Sequence, residues 1–225
     1  LDVNDAYILS RGKKTINWIV INHYRAFGKD WRNEWEKISA HEVKKWGFNT
    51  IANWSNIDFA RKSNIPYVVQ LEKYPTTTIK LYRDFPDVFD PDYPNTAKEF
   101  ARQLEKYKDD KYLIGYFLAN EPQWAFGVTN IAAEMISGNQ QSHSRSMLVQ
   151  WLQKKYSSVY ELNSAWGSTY ASIDELLSKP QRELSDKAFE DLNEFSVLLV
   201  RQYLEPVCKE TKKILPNHLN LGLRY

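Results

Sequence analysis

Asn120, Glu121 and Trp124 carry the spacing in this chain best suited to chemistry: a carboxylate, an amide directly before it and an indole three residues on. That set is what hydrolysis of a sugar bond requires, with a protonated carboxyl to serve the leaving oxygen and a flat ring to stack on a pyranose. For Glu121 to hold a proton near neutrality its surroundings must be dry, and Phe117, Trp124 and Phe126 are expected to form walls that desolvate it and raise its pKa. An isolated Asn-Glu-Pro is more often a helix cap or a solvated loop. The apolar run before it and the tryptophan after it favour the functional reading here.

The element that must position Glu121 is Tyr112–Leu118, apolar apart from its tyrosine hydroxyls and with Gly115 at its centre, which reads as a parallel strand buried on both faces. Pro122 stops the ladder and rules out a helical conformation for Glu121. Glu121 is therefore expected at the carboxyl end of a core strand, where α/β barrels keep their active sites. Around that strand, strands and helices alternate. Thr15–Asn22 is β-rich, although its continuation into HYRAFG is equally compatible with a helix, and Trp31–Trp46 places Trp35, Ile38, Val43 and Trp46 on one helical arc closed by Gly47. Phe48–Trp54 reads as a strand, Asn56–Ser63 as a short helix and Ile65–Leu71 as a second strand beginning at Pro66.

Glu72–Pro94 is proline-rich and reads as a surface loop over one end of the sheet. Thr96-x-x-Glu99 has the form of a capping box before a stripe of Ala97, Phe100, Ala101, Leu104 and Tyr107. Helices follow over Gly127–Pro180, including Met147–Tyr156 and starts at Ser158 and Ser172. Ser185–Leu215 is a long helix, with Phe189, Leu192, Phe195, Leu199 and Tyr203 inward and a kink at Pro206. His218–Tyr225 closes as a buried strand. This order implies a parallel sheet.

Composition excludes several classes. With 30 basic against 28 acidic residues there is no sustained basic surface for nucleic acid or acidic lipid. Many of the 8 Trp, 14 Tyr and 10 Phe are expected in the core, but such an excess also suits a cleft that stacks sugar rings. No apolar run reaches membrane-spanning length, and Cys208, alone, cannot form an internal disulfide. The chain opens on Leu1 with no signal peptide, which leaves room for upstream residues. His23, His41, His143 and His218 lack ligand spacing, and Asp87, Asp90 and Asp92 sit among prolines where turn and cap roles are expected, so neither a metal nor a cofactor is called for.

Five blocks together, WGFNTIANWSN (46–56), FPDVFDPDY (85–93), GYFLANEPQW (115–124), WLQKKYSSVYELNSAWGSTYASIDEL (151–176) and PNHLNLGLRY (216–225), resemble the clan A glycoside hydrolases. Within that clan they are most similar to the family 42 β-galactosidases and the related β-agarase-like enzymes. The resemblance implies a (β/α)8 TIM barrel, retaining cleavage of β-glycosidic, galactose-containing bonds in oligo- or polysaccharides, and a secreted or periplasmic setting. It implies Glu121 as the acid/base and Asn120 as the group holding the hydroxyl beside the anomeric carbon. Trp124, Asn53, Trp54 and Arg224 join them as substrate-binding candidates, each with an alternative role in core, turn or salt bridge. In the clan the nucleophile is a second Glu on the seventh strand, whereas this chain supplies roughly the first five strands, with a helical insertion at about 127–184. Residues 1–225 are thus expected to be one partial barrel domain, covered by the remainder of the barrel or by a second copy. A noncatalytic carbohydrate-binding protein on a degenerate barrel is the alternative.

Overall fold

Asn17 decides the start of the chain's first helix. Its side chain accepts from the N–H groups of Ile19 and Val20 at 3.1 and 3.3 Å, so that α1 (Trp18–Phe27) begins within the run that β-propensity alone would make a strand. The computed structural model describes residues 7–10 and 13–225, with backbone alone for 7–10 and 13–15. Thr15–Asn22 is accordingly not a core strand. Its first two residues close β2 (Lys13–Ile16), which pairs antiparallel with β1 (Tyr7–Ser10).

The chain divides into two compact units, one of residues up to Val69 with Lys111–Ile114, the other of Gln70–Asp110 with Gly115–Tyr225. In the first, α2 (Trp31–Lys45) follows α1, and neither helix has a buried residue. Phe48–Trp54 contracts to one parallel bridge, Ile51 to Tyr67, because the backbone turns at Asn53–Trp54 and Trp54 adopts a left-handed φ of 68°. Asn56 caps α3 (Ile57–Lys62), accepting from Phe59 N–H at 2.9 Å. The chain then enters β3 (Tyr67–Gln70), where Tyr67 donates its N–H to Tyr112 O.

In the second unit the segment expected as a surface loop builds core instead. A hairpin, β4 (Lys80–Tyr82) and β5 (Phe85–Pro86), buries Leu81 and Phe85, and beyond it Asp87, Val88 and Tyr93 are fully enclosed. Apolar side chains in a proline-rich stretch found a partner that sequence spacing does not reveal. Helix α4 (Tyr93–Ala101) starts at Tyr93, with proline in its first turn. Thr96 therefore lies inside it, donating its hydroxyl to Tyr93 O, and forms no capping box. The predicted stripe down to Tyr107 is buried, its last turn tightening to a 3₁₀ helix.

Strands β6 (Leu113–Phe117) and β7 (Ala119–Asn120) come next, then α5 (Ile131–Ser137), α6 (His143–Lys155), α7 (Val159–Trp166) and α8 (Asp186–Ile214). Helix α7 starts at Ser158 as expected: Ser158 Oγ accepts from Glu161 N–H, and the Glu161 carboxylate accepts from Ser157 N–H just before the cap. Helix α8 continues through Pro206 and buries Leu192, Phe195, Leu199 and Tyr203, while Phe189 stays exposed and Ala188 takes the inward position.

Two buried ionic groups lock this helical core. Asp87 accepts from the N–H groups of His143 and Ser144, capping α6 from a distance. Arg145 donates to the carbonyls of Leu176, Gly138, Gln140 and Lys179. Finally His218–Tyr225 is not one buried strand but two short half-exposed ones, β8 (Leu219–Asn220) and β9 (Leu223–Arg224), separated by a left-handed Gly222.

Candidate active site

The site is built where two parallel ladders end together. Gly115 and Tyr116 of β6 pair with Leu219 and Asn220 of β8, and Ala119 and Asn120 of β7 pair with Leu223 and Arg224 of β9. Glu121 donates the last ladder bond, its N–H to Arg224 O at 2.9 Å, and Pro122 has no N–H to continue it. Glu121 thus sits at the carboxyl ends of both strands. Its φ of 46° is left-handed, a conformation that costs a side chain of its kind on the order of 1 kcal/mol and concentrates at functional sites.

Arg224 projects from the neighbouring strand end and donates Nη1 to Asn120 Oδ1 at 2.7 Å. With its oxygen so engaged, the Asn120 amide has its N–H groups to offer a sugar hydroxyl. After Pro122, which is buried, residues Gln123–Phe126 form one 3₁₀ turn. Both of its leading amides go to Asp84 at the tip of the β4–β5 hairpin: Gln123 N–H to Oδ2 at 2.9 Å and Trp124 N–H to Oδ1 at 2.8 Å. Arg83 donates Nη1 to Gln123 O at 3.0 Å.

Trp124 is half-buried against an aromatic column. Tyr74 stacks on Tyr203 at 4.4 Å between centroids and Tyr203 on Phe85 at 5.0 Å, and Trp124 meets Phe85 and Tyr203 at steep angles, 89° and 76°. The hydroxyls of Tyr74 and Tyr93 both donate to Tyr203 O. Burial pushes the phenols of Tyr74, Tyr93 and Tyr203 far up, so these groups serve as neutral hydrogen-bonding and packing elements.

Above the column opens a cleft of about 530 Å³, whose lining includes Glu72, Lys73, Lys80, Asp84, Asn120 and Glu121. Lys73, with φ 54°, is a second left-handed residue on its wall. The Lys80 ammonium donates to Thr76 Oγ1 and Thr77 O; burial lowers its pKa and the Asp84 charge pulls the other way.

The expected desolvating walls are not present around Glu121, which is exposed. The 3₁₀ turn carries Trp124 into the column and leaves Phe126 58% exposed beside Tyr225, so neither ring encloses the carboxylate. Of the predicted residues the structure brings Asn120 and Glu121 to the cleft with Arg224 bonded to Asn120, whereas Trp124, expected as a stacking platform, packs into the aromatic column and is not part of the cleft lining. Asn53, half-buried, and Trp54, exposed, belong to the turn after Ile51 in the first unit. Asp84, Tyr74 and Tyr203 were not anticipated. The available signal was the pair Arg83–Asp84 between aromatic residues Tyr82 and Phe85, a two-residue hairpin turn inside a stretch read as loop. Among the described residues no group of three or more His, Cys, Asp or Glu could hold a metal ion, and no helix is long and apolar enough to cross a membrane.

The model of the family 42 glycoside hydrolases, described as β-galactosidase, matches residues 62–181. The chain belongs to that family. A relative of this family 42 chain, β-agarase B of Vibrio sp. (strain JT0107), is 27% identical over 205 residues, covering 84% of this chain and 21% of its own length. The solved agarase AgWH50C superposes with a TM-score of 0.84 at 24% identity, over 100% of this chain and 36% of that one. A β-galactosidase from Bacillus circulans sp. alkalophilus gives 0.54 at 17% identity, over 82% and 33%. The family 42 chain therefore shares an α/β fold with part of each, and it spans about a fifth of the length of the curated relatives it matches.

Proposed function

We propose that this chain carries the acid/base part of a retaining β-glycoside hydrolase acting on galactose-containing oligo- or polysaccharides. The observation that carries the reading is the Asn120–Glu121 pair at a shared strand end, with the Asn120 amide oriented by Arg224 and Glu121 open to a cleft. Strands β3, β6 and β7 and their partners are read as belonging to a (β/α)8 barrel, and α5 to α7 as an insertion after the strand that ends in Glu121.

In this reading Glu121 protonates the leaving oxygen and then draws a proton from the incoming water, while Asn120 holds the neighbouring hydroxyl. The nucleophile is a second carboxylate about 5 to 5.5 Å away, supplied by polypeptide other than these residues, which would also enclose the exposed Glu121 and raise its pKa. The galactan specificity is supported by the β-agarase and β-galactosidase relatives.

Kinetics of Glu121→Gln in the full-length protein test the assignment. Turnover of β-galactosides with alkyl leaving groups should fall by roughly 10²- to 10⁴-fold, and glycosylation by activated aryl glycosides much less, since their leaving groups need little protonation. NMR of the first-formed anomer should show retention. Unchanged kinetics on an oligosaccharide would remove Glu121 from the mechanism.

A further inference from the structure

The backbone that carries Glu121 is anchored on both sides of Pro122, and the second anchor has no counterpart in the strand ladder. Upstream, the Glu121 N–H is bound by Arg224 O. Downstream, the amides of Gln123 and Trp124 open a 3₁₀ turn and, like the first donors of any helix, have no partner within it. One carboxylate takes both, at 2.9 and 2.8 Å, and the adjacent arginine takes the Gln123 carbonyl at 3.0 Å. Both polar groups of the Gln123 backbone are therefore gripped by two consecutive residues of one hairpin tip.

That tip is unusual in its own sequence. Tyr82 pairs with Phe85, so Arg83 and Asp84 are the whole loop, and Arg83 has a φ of 50°, where a hairpin normally uses glycine. The arginine there reaches Gln123 O and lies over the Tyr82 ring at 5.1 Å. The base of the hairpin is fixed by buried Leu81 and Phe85. Asp84 also lines the cleft with Glu121, and each of its oxygens accepts one backbone N–H of the turn that follows Pro122.

We propose that Asp84 is a positioning residue: it holds the Pro122–Trp124 turn and thereby sets where the Glu121 carboxylate stands in the cleft. The proposal rests on the acid/base reading of Glu121. It requires two acceptor oxygens and a charge, so that Asp84→Asn, with one acceptor and an amide facing an N–H, should behave like Asp84→Ala.

The test combines two measurements. In the full-length protein, kcat and KM are compared for Asp84→Ala, Asp84→Asn, Glu121→Gln and the Asp84→Ala/Glu121→Gln double variant, on β-galactosides with alkyl and nitrophenyl leaving groups. Asp84→Ala should lower kcat on the alkyl substrate by about tenfold or more with KM nearly unchanged, lower it far less on the nitrophenyl substrate, and add nothing in the Glu121→Gln background. Equal losses on both substrates, or losses that multiply with those of Glu121→Gln, would overturn the proposal. In the present chain, amide exchange at Gln123 and Trp124 should speed up about tenfold in Asp84→Ala with core amides unchanged. Unaltered exchange there overturns the clamp itself, whereas accelerated exchange with a kinetically silent Glu121→Gln would sink the acid/base reading and, with it, the catalytic consequence drawn for Asp84.

Discussion

Gly115→Ala should cost this chain most of a strand pairing through the addition of one methyl group. A Cβ at Gly115 would lie 2.3 Å from the Leu219 carbonyl oxygen, 2.9 Å from Leu219 Cβ and 3.0 Å from its carbonyl carbon. Carbon and oxygen settle at about 3.3 Å or more, so β6 and β8 must separate by about 1 Å. The obstacle is backbone and cannot swing aside. Overpacking of this sort costs about 1–3 kcal/mol, here at the upper end, and the separation strains the neighbouring bond from Leu221 N–H to Tyr116 O, worth about 1 kcal/mol net. Against this stands a gain of about 0.5–1 kcal/mol from replacing glycine in a strand, leaving a net loss near 3 kcal/mol. Urea denaturation followed by near-ultraviolet circular dichroism should show the midpoint fall accordingly, with an unchanged slope. A loss below about 0.5 kcal/mol would refute the close approach of β6 and β8. Because β9 follows β8 directly, the same variant should loosen the bond of Arg224 to Asn120, visible as a chemical-shift change at the Asn120 amide.

Arg145→Ala removes the only donors that Leu176, Gly138, Gln140 and Lys179 carbonyls receive from this buried cation, and should destabilise by about 3–5 kcal/mol in the same assay, with Arg145→Lys recovering little because an ammonium cannot span the four acceptors. Asp191 should contribute to acid sensitivity: burial pushes its carboxyl up, but hydrogen bonds from Trp166 and Tyr156 and the Lys155 charge outweigh it and hold it below the usual aspartate range. A carboxyl depressed in the folded state gives stability that is complete well above its unfolded pKa and drains away as pH falls through its folded one. Urea midpoints between about pH 5 and pH 2 should therefore fall less steeply in Asp191→Asn than in the parent, and parallel curves would rule the residue out.

The parts of the site legible in sequence were those ruled by short-range covalent and steric constraints. The end of the Glu121 ladder follows from the missing N–H of Pro122, and the Ser158 cap from the reach of a serine side chain over three residues. The helical stripes of α4 and α8 were legible for the same kind of reason, since a period of 3.6 places one face inward wherever the helix packs. The start of α4 lay ahead of Thr96, at Tyr93, while in α8, which starts from its Ser185 cap as expected, Ala188 and not Phe189 takes the inward position. Asn17 shows the limit of propensity, because one capping side chain outweighed a β-rich run.

What only the tertiary structure decided was which distant groups meet. Asp84 and Trp124 are brought into contact by a hairpin folded from a stretch that looked like loop, Asp87 caps α6 across the core, and Arg145 gathers carbonyls from several turns. The exposure of Glu121 is likewise a property of the assembled surface, not of its neighbours in sequence. By itself the sequence determined the strand-tip placement of Asn120 and Glu121 and the family to which the chain belongs, for those depend on residue identity and local backbone rules. The orientation of Asn120 by Arg224, the grip of Asp84 on the following turn and the column under Trp124 depend on long-range closure, where burial of apolar surface selects the partners and no local rule names them.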